Sequence, residues 1–412
     1  MNEHFDTLET RDPEIRERAM LDALRRQVAY AKARAPGFAA ILAGIEPAGL
    51  TSRAALAMIP VTRKSDLIDR QKALRPFGGL AAVARGGAAH FFASPGPIYE
   101  PAGRGADYWR LARSLFAAGF RAGDLVHNAY AYHLTPAGAM LESGALALGC
   151  SVFPGGTGQT EQQIAAMSDL APDGYVGTPS FLRILLERAD ADGIALPSLR
   201  KAQVSGEPFP PSQRDALVAR GIDAYQVYAS ADLGSIAYES PAREGLIVDE
   251  GVLVEILRPG TGEPVRDGEV GEVVVTTLCN SDYPLVRFAT GDLSASLAGA
   301  SPCGRTNLRI KGWIGRADQT TKVKGMFVHP SQVAAVVRRH SEILKARLVV
   351  DNPDGVDRMT LVCEVRHADP ALAGAIVDSL RDVTKLRGEA SLRAPGSLPN
   401  DGKVIDDTRK HD

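Results

Sequence analysis

The sequence lacks paired cysteines, a long apolar run and an excess of charge of either sign. Its four cysteines, Cys150, Cys279, Cys303 and Cys363, form no C-x-x-C pair, so neither a zinc cluster nor a disulfide framework is expected. No apolar stretch approaches the roughly 20 residues that cross a membrane, and the acidic N-terminus has no apolar core of a signal peptide. These absences predict a cytoplasmic protein with no membrane association.

The balance of charge excludes a further class of partner. The 47 lysines and arginines are interspersed with 49 aspartates and glutamates, and no long basic run occurs. Binding of nucleic acid needs a clustered basic surface and is therefore not expected. A chain of 412 residues that is 45% hydrophobic can bury a large core, and its length predicts more than one domain.

The order of the hydrophobic patterns predicts an α/β fold. Strand-like and helix-like segments alternate between about residues 107 and 228, which indicates a mostly parallel sheet with helices on both faces. Within this region Thr160-Glu-Gln-Gln163 predicts a capping box. After Gly251 two strand patterns predict an antiparallel hairpin and a β-rich subdomain. The rest is predicted to be a small α+β unit, so the expected domains are 1–317 and 318–412.

Two turns lie close together in the second half of the chain. The apolar run Pro284-Leu-Val-Arg-Phe-Ala-Thr-Gly-Asp292 ends in a carboxylate, which at the end of a strand can accept hydrogen bonds from ribose hydroxyls. The turn Gly315-Arg-Ala-Asp318 combines a basic residue with the small Ala-Asp pair, which allows several backbone conformations, and this combination suits a hinge. Two ordinary surface turns are the alternative interpretation, because Gly-Asp and Ala-Asp turns are common.

Further motifs follow predicted strands or lie near the C-terminus. Ser205-Gly-Glu-Pro208 closes a strand, and its glycine lets the backbone approach a flat ligand. Tyr228-Ala-Ser-Ala-Asp232 closes the next strand with a carboxylate that suits Mg²⁺. Lys403 follows a glycine in a polar turn. Each motif also has a plainer interpretation. The segment Ser205-Gly-Glu-Pro208 can be an ordinary β-to-α loop, Tyr228 a core aromatic residue, and Lys403 part of a solvated tail.

In order and spacing these motifs resemble those of adenylate-forming enzymes, and most of all the phenylacetate–CoA ligase branch of the acyl-CoA synthetases. The resemblance extends from about Ile59 to Lys403. It implies a large N-terminal AMP-binding domain and a small mobile C-terminal domain. It also implies an ATP-dependent acid–CoA ligase that uses Mg²⁺ and forms an acyl-adenylate and then a thioester. The segment Ile59-Pro-Val-Thr-Arg-Lys-Ser-Asp-Leu67 resembles an entry segment of that branch and is expected to be structural.

The resemblance also implies roles for the motif residues. Ser205, Gly206, Glu207 and Pro208 belong to the adenine pocket, where the ring of Tyr228 packs beside Ala229 and Ser230. Asp292 binds the ribose with help from Arg316, and Asp232 holds Mg²⁺ although the branch usually has glutamate there. Asp318 is the pivot of the small domain, and Lys324 and Gly325 face coenzyme A. Lys403 bridges the carboxylate and the α-phosphate, so it and Asp232 are the expected catalytic residues.

The acyl pocket is expected around an aromatic stretch. Tyr130, Tyr132, His133 and Gly138 match a stretch that lines this pocket in the ligase branch. Aromatic walls favour a flat aryl acid such as phenylacetate or a benzoate. His133 could equally be structural, and a catalytic role is not assigned to it.

The phosphate loop departs from the family pattern. Ser94 and Gly96 are kept, but Glu100 stands where the family has lysine. Because a carboxylate would repel a triphosphate, we expect Glu100 to point away or to pair with an arginine such as Arg104.

Two alternatives to a CoA ligase stay open. One is transfer of the acyl group to a carrier protein or an amine, and the other is a binding protein without turnover. The sequence leaves the oligomeric state open, with a homodimer as one candidate.

Overall fold

The computed structural model describes residues 3–84, 86–94, 97–259, 261–317, 321–324, 326–328, 330–353, 355–399 and 404–409, with the backbone alone at 315, 316, 327, 330 and 331. The chain divides into two compact units, the first ending at Gly315 and the second beginning at Arg316. The division lies close to the predicted boundary after residue 317. The assignment of activities to the two units stays a prediction.

The first unit combines helices with three sheets. Its helices are α1 (Pro13–Arg34), α2 (Pro36–Ile41), α3 (Arg53–Ala57), α4 (Leu67–Ala73), α5 (Ala112–Ala117), α6 (Ala137–Leu148), α7 (Thr160–Leu170), α8 (Pro179–Ala191) and α9 (Pro211–Ala219). Its strands are β1 (Thr62–Arg63), β2 (His90–Ser94), β3 (Ile98–Ala102), β4 (Leu125–Asn128), β5 (Ser151–Pro154), β6 (Gly174–Gly177), β7 (Lys201–Val204), β8 (Asp223–Ser230), β9 (Gly234–Glu239), β10 (Leu246–Val248), β11 (Val252–Leu257), β12 (Gly271–Thr277), β13 (Phe288–Ser294), β14 (Ser296–Leu297), β15 (Arg309–Ile310) and β16 (Gly315–Arg316), which begins at the division. Short 3-10 turns span Thr7–Thr10, Pro47–Gly49 and Lys64–Asp66.

The largest sheet has the strand order β14-β15-β10-β9-β8-β7-β6-β4-β5. Strands β5, β4, β6, β7 and β8 run parallel, and the others are antiparallel to their neighbours. Successive residues of β6 face opposite sides, since Val176 packs in the core that contains residues of α5 and α6, and Tyr175 in the core with residues of α7, α8 and α9. The predicted parallel sheet with helices on both faces is confirmed.

The β-rich part of the first unit has the strand order β1-β13-β12-β11. Strands β11 and β12 form the predicted antiparallel hairpin, with Val252 opposite Thr277. Arg287, directly before β13, is buried, and its guanidinium donates to both carboxylate oxygens of Glu255 at 3.0 Å and to the carbonyl oxygen of Ala57 at 2.8 Å. The contact with Ala57 ties the segment before β1 to the sheet. Removing either Arg287 or Glu255 would leave a buried charge without its ion-pair partner.

The second unit is the predicted small α+β unit. Its strands are β17 (Thr321–Val323), β18 (Met326–Val328), β19 (Ile343–Asp351), β20 (Arg358–Val365), β21 (Glu389–Arg393) and β22 (Ile405–Asp407), and its helices are α10 (Pro330–Arg339) and α11 (Pro370–Thr384). The main sheet has the order β21-β20-β19-β22. Leu348 and Leu361 of the sheet and Ile376 and Leu380 of α11 are fully buried in its core.

One local prediction is wrong. Helix α7 begins at Thr160 after Gln159, and no side chain caps it, so the capping box is not formed. The Gln163 side chain turns inward instead, where its Oε1 lies 2.7 Å from His127 Nε2 and its amide donates to the carbonyl oxygens of Gly156 and Gly158. Buried polar groups need partners, and this requirement overrides the local motif.

In the part of the chain that the structure describes, no helix is long and apolar enough to cross a bilayer.

Candidate active site

The site begins where the end of β8 meets β13. The Tyr228 hydroxyl donates to Asp292 Oδ2 at 2.9 Å, and Trp313 Nε1 donates to Asp292 Oδ1 at 3.2 Å. Two donors therefore orient the carboxylate that the sequence assigns to ribose. Tyr228 and Asp292 are 64 residues apart, and the packing of the two sheets brings them together. Trp313 is a single indole in a connector, and no sequence motif indicates its role.

The segment assigned to adenine follows β7 at the carboxyl end of the parallel strands. Gly206 has a φ of +83°, which favours glycine there. The Glu207 carboxylate accepts a hydrogen bond of 3.3 Å from the backbone N–H of Ser180 in the first turn of α8. The carbonyl oxygen of Ser205 lies 3.1 Å from the Tyr130 hydroxyl. The loops after β4, β6 and β7 are therefore joined at one edge of the sheet, where ligands of open α/β sheets bind.

The remaining residues of this region lie in the loop after β7 or at the end of β8. Pro208 lies in the loop between β7 and α9, and Ala229 lies at an irregularity in the pairing of β8 with β9. The Ser230 hydroxyl accepts a hydrogen bond of 3.3 Å from the N–H of Leu233. This contact shapes the turn that leads to Asp232.

The aromatic stretch lies directly after β4, where the strand order reverses. The chain leaves β4 to β5 on one side and then crosses to β6 on the other. The Tyr130 hydroxyl lies 2.7 Å from the carbonyl oxygen of Gly177, and burial raises the pKa of the phenol. The Tyr132 hydroxyl donates to Glu142 Oε2 at 2.7 Å and accepts from Asn128 Nδ2 at 2.8 Å. Both phenol groups are thus engaged within the protein.

Gly138 and His133 differ in their surroundings. A Cβ on Gly138 would lie 2.8 Å from the Tyr132 ring and 2.8 Å from the carbonyl oxygen of Ala131, so a side chain there would displace the ring. His133 is exposed. The structure therefore packs the ring of Tyr132 against the backbone of Gly138 and leaves His133 at the surface.

Asp232 lies beyond β8 and is only 4% exposed. Its Oδ2 accepts a hydrogen bond from the Lys64 ammonium, while Oδ1 has no hydrogen-bond partner among the described residues. Lys64 belongs to the segment expected to be structural, and the pairing of β1 with β13 places it at the site instead. A buried carboxylate oxygen without a partner fits the Mg²⁺ that the sequence assigns to Asp232.

Glu100 does not adopt the predicted orientation. It lies on β3, where Tyr99 is exposed and Glu100 is only 2% exposed, so the alternation of the strand turns its carboxyl group inward. The Ser94 hydroxyl donates to Glu100 Oε1, and Arg104 donates to the carbonyl oxygen of Ala88. The predicted pairing with Arg104 is therefore wrong. Burial and then the charge of Asp232 raise the pKa of Glu100 to about 8, against the opposing effect of Lys64.

Tyr283 completes this buried group. It is 1% exposed, and its hydroxyl has no hydrogen-bond partner in the described part of the chain. Burial, followed by the charges of Asp232 and Glu100, raises the pKa of the phenol. Three buried oxygens, one from each of these electrostatically interacting residues, thus have no hydrogen-bond partner among the described residues. No group of three or more His, Cys, Asp or Glu side chains suited to a metal occurs among the described residues.

Several predicted site residues lie outside this description. Gly96, Asp318, Gly325 and Lys403 are outside the described residues, as is the side chain of Arg316. Lys324 lies in the second unit after β17, where its backbone N–H donates to Asp357 Oδ2 at 2.8 Å. The roles assigned to these residues stay predictions.

The fold and sequence match known proteins. Residues 110–281 match the family described as AMP-binding enzyme. The chain is 34% identical over 417 residues to the phenylacetate-coenzyme A ligase of Thermus thermophilus, covering 92% of each chain. It is 35% identical over 337 residues to that of Aromatoleum evansii, covering 78% of this chain and 75% of the relative. A crystal structure of 2-hydroxyisobutyryl-CoA ligase with 2-HIB-AMP and CoA has a TM-score of 0.81 at 26% identity, covering 98% of this chain and 91% of that chain.

The fold, the motif order and these matches define an adenylate-forming enzyme with an AMP-binding domain. Within this class, the chain belongs to the phenylacetate–coenzyme A ligase family. It is an AMP-forming acid–thiol ligase whose small-molecule substrates are a carboxylic acid, ATP and coenzyme A. The family resemblance inferred from the sequence is confirmed.

Proposed function

We propose that this ligase activates an aryl carboxylic acid, with phenylacetate or a benzoate as the substrate. The observation that carries the proposal is the arrangement after β4. Tyr130 and Tyr132 have their hydroxyls engaged within the protein, so neither phenol is left to donate to a ligand, and the half-buried Tyr132 presents ring surface. Aromatic surface at the point where the strand order reverses favours a flat apolar acyl group.

The reaction has two steps. The substrate carboxylate attacks the α-phosphate and pyrophosphate leaves; the coenzyme A thiol then displaces AMP from the acyl-adenylate. Asp292, oriented by Tyr228 and Trp313, accepts hydrogen bonds from the ribose hydroxyls. Asp232 holds Mg²⁺, which when bound neutralises charge on the phosphate oxygens. We assign the contact between the carboxylate and the α-phosphate to Lys403.

The second step requires a change of position of the second unit in this proposal. Asp318 is the pivot, and Lys324 with Gly325 faces coenzyme A. Arg316 gives a charge-assisted contact to the nucleotide. Replacing Asp318 by proline fixes its φ angle, so adenylation is expected to continue while thioester formation stops. Equal retention of both steps would place the pivot elsewhere.

The experiment that tests the substrate is a panel of acids. Pyrophosphate release with ATP and Mg²⁺ is measured for phenylacetate, benzoate, 2-hydroxyisobutyrate and acetate. We expect the aryl acids to have the highest kcat/KM. A preference for a small aliphatic acid contradicts the assignment of the pocket. No pyrophosphate with any acid favours a binding protein that has lost turnover.

A second assay identifies the acceptor. Each activated acid is offered coenzyme A, an acyl carrier protein with its phosphopantetheine arm, or a primary amine. We expect AMP release and thioester formation with coenzyme A alone. Lys403→Ala should abolish adenylation but leave thioester formation from a pre-made acyl-adenylate largely intact. An equal loss in both half-reactions would make Lys403 a structural residue.

A further inference from the structure

We propose that Glu100 is a second carboxylate ligand of the divalent cation beside Asp232, and that the Lys64 ammonium takes the position of this cation in its absence. The inference rests on the proposed function only for what the cation does with ATP. The site itself is assigned from the contacts of this chain. Under this proposal, the glutamate that replaces lysine in the phosphate loop is a metal ligand and not a defect of the loop.

The buried oxygens of this group favour a cation as their ligand. Glu100 Oε2, Asp232 Oδ1 and the Tyr283 hydroxyl are each buried, and within the described residues none has a hydrogen-bond partner. The three residues interact electrostatically, and a buried oxygen that lacks a partner is costly, so three of them together are not expected in a finished core. Oxygen atoms of this kind are the ligands that Mg²⁺ prefers.

A cation from a distant segment of the chain already lies against Asp232. The Lys64 ammonium reaches Asp232 from the 3-10 turn after β1, 168 residues away in sequence. The Asp232 side chain has no solvent exposure, whereas that of Lys64 is 25% exposed. Lys64 therefore approaches from the solvent side of the carboxylate. A divalent ion that enters from the same side can replace it.

Charge also favours a divalent ion at this point. When both are ionised, Glu100 and Asp232 carry two negative charges against the one positive charge of Lys64, so a triphosphate brought to this pair would be repelled. One divalent ion held by both carboxylates neutralises them and removes that repulsion, since Mg²⁺ is commonly bound through one or two carboxylates together with substrate phosphates. The Ser94 hydroxyl, which donates to Glu100 Oε1, leaves Oε2 as the oxygen for the metal.

The test measures metal binding without activity. Mn²⁺ alone is titrated into the full chain, and free Mn²⁺ is followed by its electron paramagnetic resonance signal. The variants are Glu100→Gln, Asp232→Asn and Lys64→Met. The matched control is Glu364→Gln, which changes a carboxylate of the second unit that accepts from the N–H of Leu398.

We expect Glu100→Gln and Asp232→Asn each to weaken Mn²⁺ binding at least tenfold. Lys64→Met should tighten binding several-fold, because the competing ammonium is gone, and Mn²⁺ should raise its melting temperature more than that of the wild type. The control should bind Mn²⁺ as the wild type does. If Glu100→Gln does not fold, the Lys64→Met measurement decides, since misfolding cannot tighten a metal site.

Two results would overturn the inference. One is unchanged Mn²⁺ affinity in Glu100→Gln, which would make Glu100 a partner of Ser94 alone. The other is weaker or equal binding in Lys64→Met. Neither depends on the acid substrate. A wild type that binds Mn²⁺ as expected but releases no pyrophosphate contradicts the proposed function and leaves the metal site standing.

Discussion

The two ends of the proposed nucleotide site differ in how many of their polar groups have partners. At the ribose end, Asp292 accepts hydrogen bonds from Tyr228 and Trp313, and the indole is 39% exposed. At the phosphate end, Glu100 and Asp232 are almost fully buried, and each has an oxygen without a partner in the described chain. The proposed ribose end is therefore organised by side chains of the protein, whereas in our proposal a cation satisfies the buried oxygens of the phosphate end.

The largest effect is expected at the phosphate end. Asp232→Asn removes the charge that holds the metal and the partner of Lys64, so pyrophosphate release should fall by about 10³-fold. Asp190→Asn, which changes an exposed partner of Arg220, is the control and should leave the rate unchanged. A loss smaller than tenfold would mean that the phosphate end does not depend on Asp232, and the contrast between the two ends would fail.

The pKa of Glu100 predicts how stability depends on pH in the metal-free protein. Its folded-state pKa of about 8 lies above the ordinary value of 4.5. The folded state therefore keeps a proton that the unfolded chain releases, and stability should fall as the pH rises from about 4.5 to 8. Glu100→Gln should remove this loss, which is on the order of a few kcal/mol.

Urea unfolding with EDTA at pH 5 and pH 8 measures this difference. Glu364→Gln is the control, because hydrogen bonds from the backbone hold the pKa of Glu364 below its ordinary value, outside this range of pH. If wild type and Glu100→Gln lose the same stability between pH 5 and pH 8, Glu100 is ionised in the metal-free protein. The phosphate end would then be less incomplete than the contacts indicate.

A smaller effect is expected at the ribose end. Tyr228→Phe keeps the ring and removes one donor to Asp292, which should raise the KM for ATP about tenfold with little change in kcat. Tyr225→Phe on the same strand is the matched control, since its ring lies against Arg243. A fall in kcat with an unchanged KM would show that Tyr228 acts in the transition state.

The smallest effect is expected for Trp313→Phe. The indole donor to Asp292 is partly exposed, so water can replace it, and the KM for ATP should rise about threefold. Fluorescence of the indole on adding AMP gives a second readout. A change larger than that of Tyr228→Phe would reverse the assignment of the main orienting donor.

The sequence predicted much of the fold because its signals were local. Periodicity and turn residues indicated the alternating strands and helices between β4 and β8, the β11–β12 hairpin and the small second unit. It also indicated Tyr228, which begins a recognisable motif, and Asp232 and Asp292, which each end one. The order of those motifs was enough to identify the family.

The surroundings of these residues were decided by tertiary structure. Lys64 meets Asp232 only because β1 pairs with β13. The inward orientation of the Glu100 side chain depends on which face of the short β2–β3 hairpin is covered. Trp313 and Tyr283 carry no motif at all. Local sequence sets the period of an element and the residues at its ends, whereas the packing of elements far apart in sequence decides which side chains meet and which buried oxygens are left without a partner.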